Sequence, residues 1–474
     1  MPEFHAEPYL YLAGLTHNAA LIAWGAFYFR VRGQGQNGDW KLVDDDDLEH
    51  VYPPRRETIG ARSEPFGKTR VELFDLSGTL ITTVETTTAN HVWVTQLEPD
   101  TAYRYRVIVS GEEWAAGERR DWVSGPGGKG LMKSGKTYDN RFRTFPHPDI
   151  SSPLTFAALG DFGVGVSKPS TSTRRQQEVA LALERISIER NVRLILTTGD
   201  NIYARTFLGI PVASSGDEDD DLFFTFYQPY RYIINRIPVY PSIGNHDSGE
   251  TEASDDREQM LDNFFINTRF SGEESAGNAS FGPGVFYKFK FGSDIEFICL
   301  DTTRKSRFST DRFFEHPNHQ RFLNAAFPVS TENATHVPKW RIPFSHHPPF
   351  TAGPNHSNSR SMNRHLVPLF ERSGVRAVFS GHEHNFQHSR SGGIDYFVTG
   401  AGAKVNRLDP SAFDAAHTVS WSGASHFVLV DVTEDQMTVT PIGELDPTGG
   451  ISVLRRRNPR GDEVDTPIII RFSS

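Results

Sequence analysis

Five apolar, strand-like runs of this chain each end in a short stretch rich in oxygen and nitrogen donors. LTFAALGDFG places Asp161 after its run, and VRLILTTGDNIY places Asp200 and Tyr203. RIPVYPSIGNHD places Asn245 and His246, WRIPFSHHPP places His346 and His347, and VRAVFSGHEHN places His382 and His384. Any one of these is ordinary, because Gly, Asn and Asp are common turn formers and a single histidine is unremarkable. Their recurrence in order, each after an apolar run, carries the information. Strand ends on one edge of an α/β sheet converge on one crevice, so the loops predict a common site. Carboxylates, a phenol, an amide and imidazoles gathered there are metal donors. One bridging carboxylate can hold two ions ~3.5–4 Å apart, in a site suited to phosphoryl chemistry.

The elements that must position these groups begin near residue 150. Apolar strands alternate with longer segments, and STRRQQEVALALERISIERN reads as a helix with Ser172 as a cap. Such alternation predicts an α/β domain over 150–442. Residues 1–146 read as β-rich instead. In LEPDTAYRYRVIVSG, Tyr103, Tyr105, Val107 and Val109 alternate with Arg104, Arg106 and Ile108, as a half-buried strand should. The proline-bearing FRTFPHPDISSP, residues 142–153, reads as the linker. Residues 443–474 end in TPIIIRFSS and are expected to pack on the α/β body as an extension or edge strand. The acidic run Asp44–Asp47 reads as a solvated loop, and 214–221 and 248–284 read as surface insertions.

The ordered set resembles the calcineurin-like metallophosphoesterases and, within them, the purple acid phosphatases. The broader superfamily has Asp-x-His in its first motif; here Gly163 stands at the histidine position and Tyr203 is placed to replace it. A phenolate is a hard donor suited to Fe(III). The resemblance implies an αββα sandwich. It implies a ferric site of Asp161, Asp200, Tyr203 and His384, and a divalent site (Zn, Mn or Fe) of Asp200, Asn245, His346 and His382, with Asp200 bridging. The family's His-x-Pro pattern selects His346 with Pro348, which leaves His347 to face substrate or support the ligands. His246 corresponds to a phosphate-contacting residue. His356, about ten residues beyond His346, lies where family members often carry a histidine. His246 and His356 are therefore the candidates for substrate binding and for protonating the leaving group. The implied activity is hydrolysis of phosphate monoesters, as an acid phosphatase of the purple type, with metal-bound hydroxide as nucleophile. The alternative is a phosphodiesterase or nucleotide pyrophosphatase of the same fold. The N-terminal region resembles a fibronectin type III-like sandwich through Leu97, Pro99, Thr101 and Tyr103, with Tyr103 as a corner tyrosine.

Composition bounds the partners. The 474 residues carry a formal net charge of -10, which argues against non-specific binding to nucleic acid or anionic membrane. Small phosphorylated substrates are expected, and the implied centre supplies the positive charge to attract them. Formal charge there stays positive after Asp161, Asp200, phenolate Tyr203 and a bridging hydroxide are counted. The single cysteine, Cys299, sits in an apolar run and reads as a core thiol. No signal peptide or transmembrane segment is read, so a secreted or vesicular location is expected only if a leader was removed. Glycosylation sequons occur at Asn278, Asn333 and Asn355. A binding module built on a dead catalytic relic would lack ligands of the set; none is missing from this sequence.

Overall fold

The computed structural model describes residues 3–32, 39–43, 45–125, 128–203, 205–207, 210–213, 222–248, 256–270, 285–304, 309–328, 337–446 and 448–472. The N-terminal region is all β. In one sheet Glu3–Leu15 pairs with Ala20–Arg32, which also pairs with Asp39–Leu42 and His91–Val94. A second sheet orders Arg141–Arg143, Ala102–Val109, Thr69–Phe74 and Leu80–Thr86. In Ala102–Val109, Tyr103, Tyr105 and Val107 are buried while Arg104 and Arg106 are exposed. Ala20–Arg32 shows no such alternation, because every residue from Ala20 to Phe29 is buried. Both faces of that strand are covered, so its sequence reads as a continuous apolar run. One cover is the α/β region: Tyr9 packs 4.4 Å from Tyr227, Phe27 4.9 Å from Phe223 and Tyr11 6.0 Å from Phe265 (ring centroids).

The α/β region stacks two sheets. The six-stranded sheet orders Val239–Pro241, Leu194–Thr197, Leu154–Leu159, His426–Val432, Gln436–Gly443 and Ile468–Arg471, parallel through the first three. The nine-stranded sheet holds Ile295–Cys299, Trp340–Phe344, Ala377–Ser380 and Ile394–Thr399 as its parallel core. Phe156 bridges the two sheets, 5.2 Å from Phe297 and 5.8 Å from Phe379. The helix Thr171–Glu189 belongs to the same core as the six-stranded sheet, burying Val179, Leu183 and Ile186. Helices Pro317–Ala326, Arg360–His365 and Val367–Arg372 share a separate core that joins Phe322, Leu366 and Phe370 to Val378 and Tyr396 of the nine-stranded sheet. Cys299 is buried, its thiol directed at the Pro241 carbonyl 3.6 Å away.

Several local expectations change. The cap of Thr171–Glu189 is Ser170, not Ser172: Ser170 has extended backbone and its hydroxyl accepts from the Thr173 amide at 3.0 Å. Ser172 lies already inside the first turn, where its hydroxyl cannot serve as the cap. Within the supposed insertion 248–284, helices Asp256–Asn263 and Ile266–Arg269 are no surface appendage. With the turn between them they bury Met260, Phe264, Phe265 and Ile266, and Phe265 packs against the N-terminal sheet. Part of the acidic run, Asp45–His50, is a short 3-10 helix that buries Leu48. The proline-bearing connection is also fixed, since Phe145 is buried 5.1 Å from Phe291 and its amide donates to Thr16 O. Asp44, residues 214–221, Asn278 and Asn333 lie outside the described residues.

Candidate metal centre

Leu154–Leu159, Leu194–Thr197 and Val239–Pro241 carry Asp161, Asp200 and Asn245 just past their ends; Trp340–Phe344 and Ala377–Ser380 carry His346 and His382. The donors thus come from the edges of both stacked sheets rather than from one. The turns are tight. Asp161, Asp200 and His382 all have left-handed backbone, with φ of 56°, 52° and 69°. For residues with a Cβ this costs about 1–3 kcal/mol each, a strain that concentrates at functional sites. Gly244 answers the same crowding, because a Cβ there would sit on the Asp200 carboxylate.

Two groups of donors meet. In the first, the Tyr203 hydroxyl donates to Asp161 Oδ1 at 3.0 Å and lies 3.3 Å from His384 Nε2, itself 3.4 Å from Asp161 Oδ1. In the second, His346 Nε2 lies 2.9 Å from Asn245 Oδ1 and 3.1 Å from His382 Nδ1. Asp200 Oδ1 is 3.4 Å from that same His346 nitrogen. His346 Nδ1 points at the Thr198 carbonyl, 2.8 Å away. A carbonyl only accepts, so Nδ1 carries a proton and Nε2 faces the other donors. His346 Nε2, His382 Nδ1 and Asn245 Oδ1 therefore crowd one point, an arrangement that a cation stabilises. Gly163 leaves no room for a ligand histidine, since a Cβ there would overlap the Asn201 backbone.

The electrostatics agree. Burial, reinforced by His346, drives the His382 imidazole well below its usual range, and burial with Lys404 takes His384 down to about 4. Both are kept neutral, the form in which an imidazole can bind a metal. Burial first, then the charges of Asp161 and Asp200, pushes the Tyr203 phenol well above its usual range. Burial and the Asp200 charge likewise push Asp161 up, whereas His346 and His246 outweigh burial at Asp200 and hold it down. Without added positive charge the acidic groups cannot all ionise together. The residues fit a pair of cations, which would relieve that conflict.

The remaining predicted residues surround the cluster. The His246 amide donates to Asp200 Oδ1 at 3.0 Å and its ring lies 4.7 Å from that of Tyr203. His347 is buried, with Nδ1 3.1 Å from Thr302 Oγ1 and its ring 4.3 Å from His382. His356 stacks on His382 at 3.8 Å, and its amide donates to Glu383. Burial, followed by the charge of the neighbouring His384, takes His356 down to about 4.

Three contributors were not read from sequence. Asp247 is buried and accepts from the amides of Gly244 and Ile202 and from Asn201 Nδ2, tying the Asp200 loop to the Asn245 loop. It is the last letter of GNHD, so its signal was in view. Glu383, the middle of GHEHN, accepts from the Asn355 and His356 amides. Lys404 Nζ lies 3.5 Å from the Tyr203 ring centroid, a cation over an aromatic face. No local motif marks Lys404.

Residues 154–386 match the calcineurin-like phosphoesterase family profile. Tartrate-resistant acid phosphatase type 5 of Oryctolagus cuniculus is 24% identical over 65% of this chain and 91% of its own length. Purple acid phosphatase 3 of Arabidopsis thaliana is 23% identical over 54% of this chain and 67% of its own length. Among solved structures, purple acid phosphatase PPD1 from yellow lupin seeds aligns over 98% of this chain and 74% of its own, with TM-score 0.57 and 13% identity. PhoD aligns over 100% and 94%, with TM-score 0.62 and 13% identity. These two likenesses concern the fold. The chain contains a calcineurin-like phosphoesterase domain, which makes it a metal-dependent hydrolase of phosphoric esters. More narrowly, it is a purple acid phosphatase-like metallophosphoesterase with an all-β N-terminal region.

Proposed function

We propose that the protein is a phosphomonoesterase of the purple acid type, with Fe(III) and a divalent ion as its cofactors. The observation that carries this reading is Tyr203, whose phenol oxygen sits between Asp161 and His384 while Gly163 excludes a histidine. Asp161, Asp200, Tyr203 and His384 would hold the ferric ion, and Asp200, Asn245, His346 and His382 the divalent one. When bound, the ions supply Lewis acidity and acidify a water for attack.

The chain's own residues do the rest. His246 offers its ring beside Asp200 to the phosphate. His356, at the exposed rim and fixed through its amide, protonates the departing alkoxide, and a protonated ring is reached on the acid side of neutrality. Asp247 and Asn201 hold the donor loops in register. The substrates of this reading are small phosphorylated molecules. The N-terminal region is read as fibronectin type III-like, a reading supported by the Glu98 amide donating to the Tyr103 hydroxyl at 2.9 Å, as at a tyrosine corner.

The test is a visible spectrum of the iron-loaded protein beside turnover of p-nitrophenyl phosphate and bis(p-nitrophenyl) phosphate. A phenolate-to-iron band that Tyr203→Phe bleaches, with the monoester preferred, is expected. A colourless iron-loaded protein, or a band that survives the substitution, removes Tyr203 from the ligand set. Preference for the diester overturns the monoesterase.

A further inference from the structure

A cavity of about 520 Å³ opens beside the donor cluster. Asn245, His356 and His382 line it toward the centre, and Arg304, Arg312 and Arg360 line it elsewhere. No aspartate or glutamate is among its described lining residues. In a chain of formal net charge -10 this is a local reversal of sign.

Arg304 and Arg312 stand opposite one another across an antiparallel bridge. Directly opposed residues on such strands have neighbouring side chains, and like charges there repel. A phosphate in the cavity would meet both guanidiniums, whose planar fork matches phosphate oxygens. Arg312 is also fastened toward the centre. Its guanidinium donates to the Thr302 carbonyl, the Thr302 hydroxyl bonds His347, and the His347 ring packs on His382.

We propose that this cavity is a second phosphate subsite, and that the preferred substrates are small molecules carrying a further phosphoryl group besides the one that reacts. This rests on the phosphatase reading above. The further group could be adjacent to the reacting one, as in a nucleoside diphosphate, or separated from it, as in a sugar bisphosphate. The shared chemistry is a second phosphate dianion held by Arg304 and Arg312.

Calorimetric binding to the metal-loaded protein tests this without turnover. The probes are methylphosphonate, methylenediphosphonate and propane-1,3-diphosphonate. In the wild type, at least one diphosphonate should bind about tenfold or more tightly than methylphosphonate, the worth of one charge-assisted hydrogen bond. The tighter of the two distinguishes adjacent from separated phosphates. Arg304→Gln and Arg312→Gln should each shrink the gap by about tenfold, because each removes one such bond. Arg304 is exposed, so its replacement leaves the core untouched. A gap that persists in both variants means the second phosphonate binds the metals instead, and the proposal falls. Equal affinity for all three probes in the wild type also overturns it. Failure of the loaded wild type to hydrolyse p-nitrophenyl phosphate sinks the phosphatase reading alone, and the binding gap still decides the subsite.

Discussion

Asp200 Oδ1 is approached by His346 Nε2 at 3.4 Å and by the His246 amide at 3.0 Å, while Asn245 Oδ1 lies 2.9 Å from His346 Nε2 within the second donor group. That difference sets the expected phenotypes. Asp200→Asn should deplete both metals, whereas Asn245→Ala should empty the divalent site and leave iron largely in place. Metal stoichiometry by mass spectrometry checks it, and equal loss of both ions in Asn245→Ala contradicts the assignment. A second residue-scale prediction concerns acid. His426 is fully buried, its Nδ1 3.0 Å from the Ala424 carbonyl, and burial takes its pKa down to about 4. The unfolded chain binds this proton below ~6.5 and the native state only near 4. Stability should therefore fall as pH drops through that window, by on the order of 3 kcal/mol from this group. His426→Asn keeps a donor for Ala424 and removes the titration. Its urea midpoint should change less between pH ~6.5 and ~4.5 than the wild type's, and parallel slopes would refute the assignment.

At the scale of elements, the loop that carries His356 is held through its backbone. Glu383 accepts from the amides of Asn355 and His356, and Asn406 donates to the same carboxylate. Glu383→Gln keeps the shape but weakens these bonds, so Glu383 is a positioning residue for His356. Turnover of an alkyl phosphate should fall about tenfold, at the low end of what a general acid contributes, with p-nitrophenyl phosphate little changed. Equal slowing of both esters would assign Glu383 a merely structural role. The elements also decide what a sequence makes legible. Asp161, Asp200, Asn245, His346 and His382 announce themselves because each follows an apolar run within a few residues, a local pattern. Which sheet each run joins is set by packing far along the chain, so the division of donors between two sheets carries no local sign. Lys404 reaches Tyr203 from a loop after Ile394–Thr399 with no motif around it. Helices Asp256–Asn263 and Ile266–Arg269 read as polar insertion because their buried residues face another region's sheet rather than a core of their own.

At the scale of the whole molecule, the N-terminal sheet and the α/β region share one hydrophobic core, with Tyr11 and Trp24 in the same cluster as Phe226 and Phe156. Arg231 is clamped within that interface: it is 3% exposed, donates to Glu7 at 2.6 Å, and reaches Tyr138 at 3.0 Å. Breaking a buried pair by removing one partner costs ~3–5 kcal/mol. Arg231→Met should lower stability by about that amount, and the wild type should melt in one calorimetric transition because neither part keeps a closed core alone. Two resolved transitions in the wild type would show the parts to be independent. The division of the donors has a mechanical side as well. Asp161, Asp200 and Asn245 stand on one sheet, while His346, His382 and His384 stand on the other. Apolar packing between sheets has no preferred direction and lets layers slide. Ions seated among these donors would act as a rivet through both plates, resisting shear at the one edge where a displacement of an ångström would misalign the reacting groups.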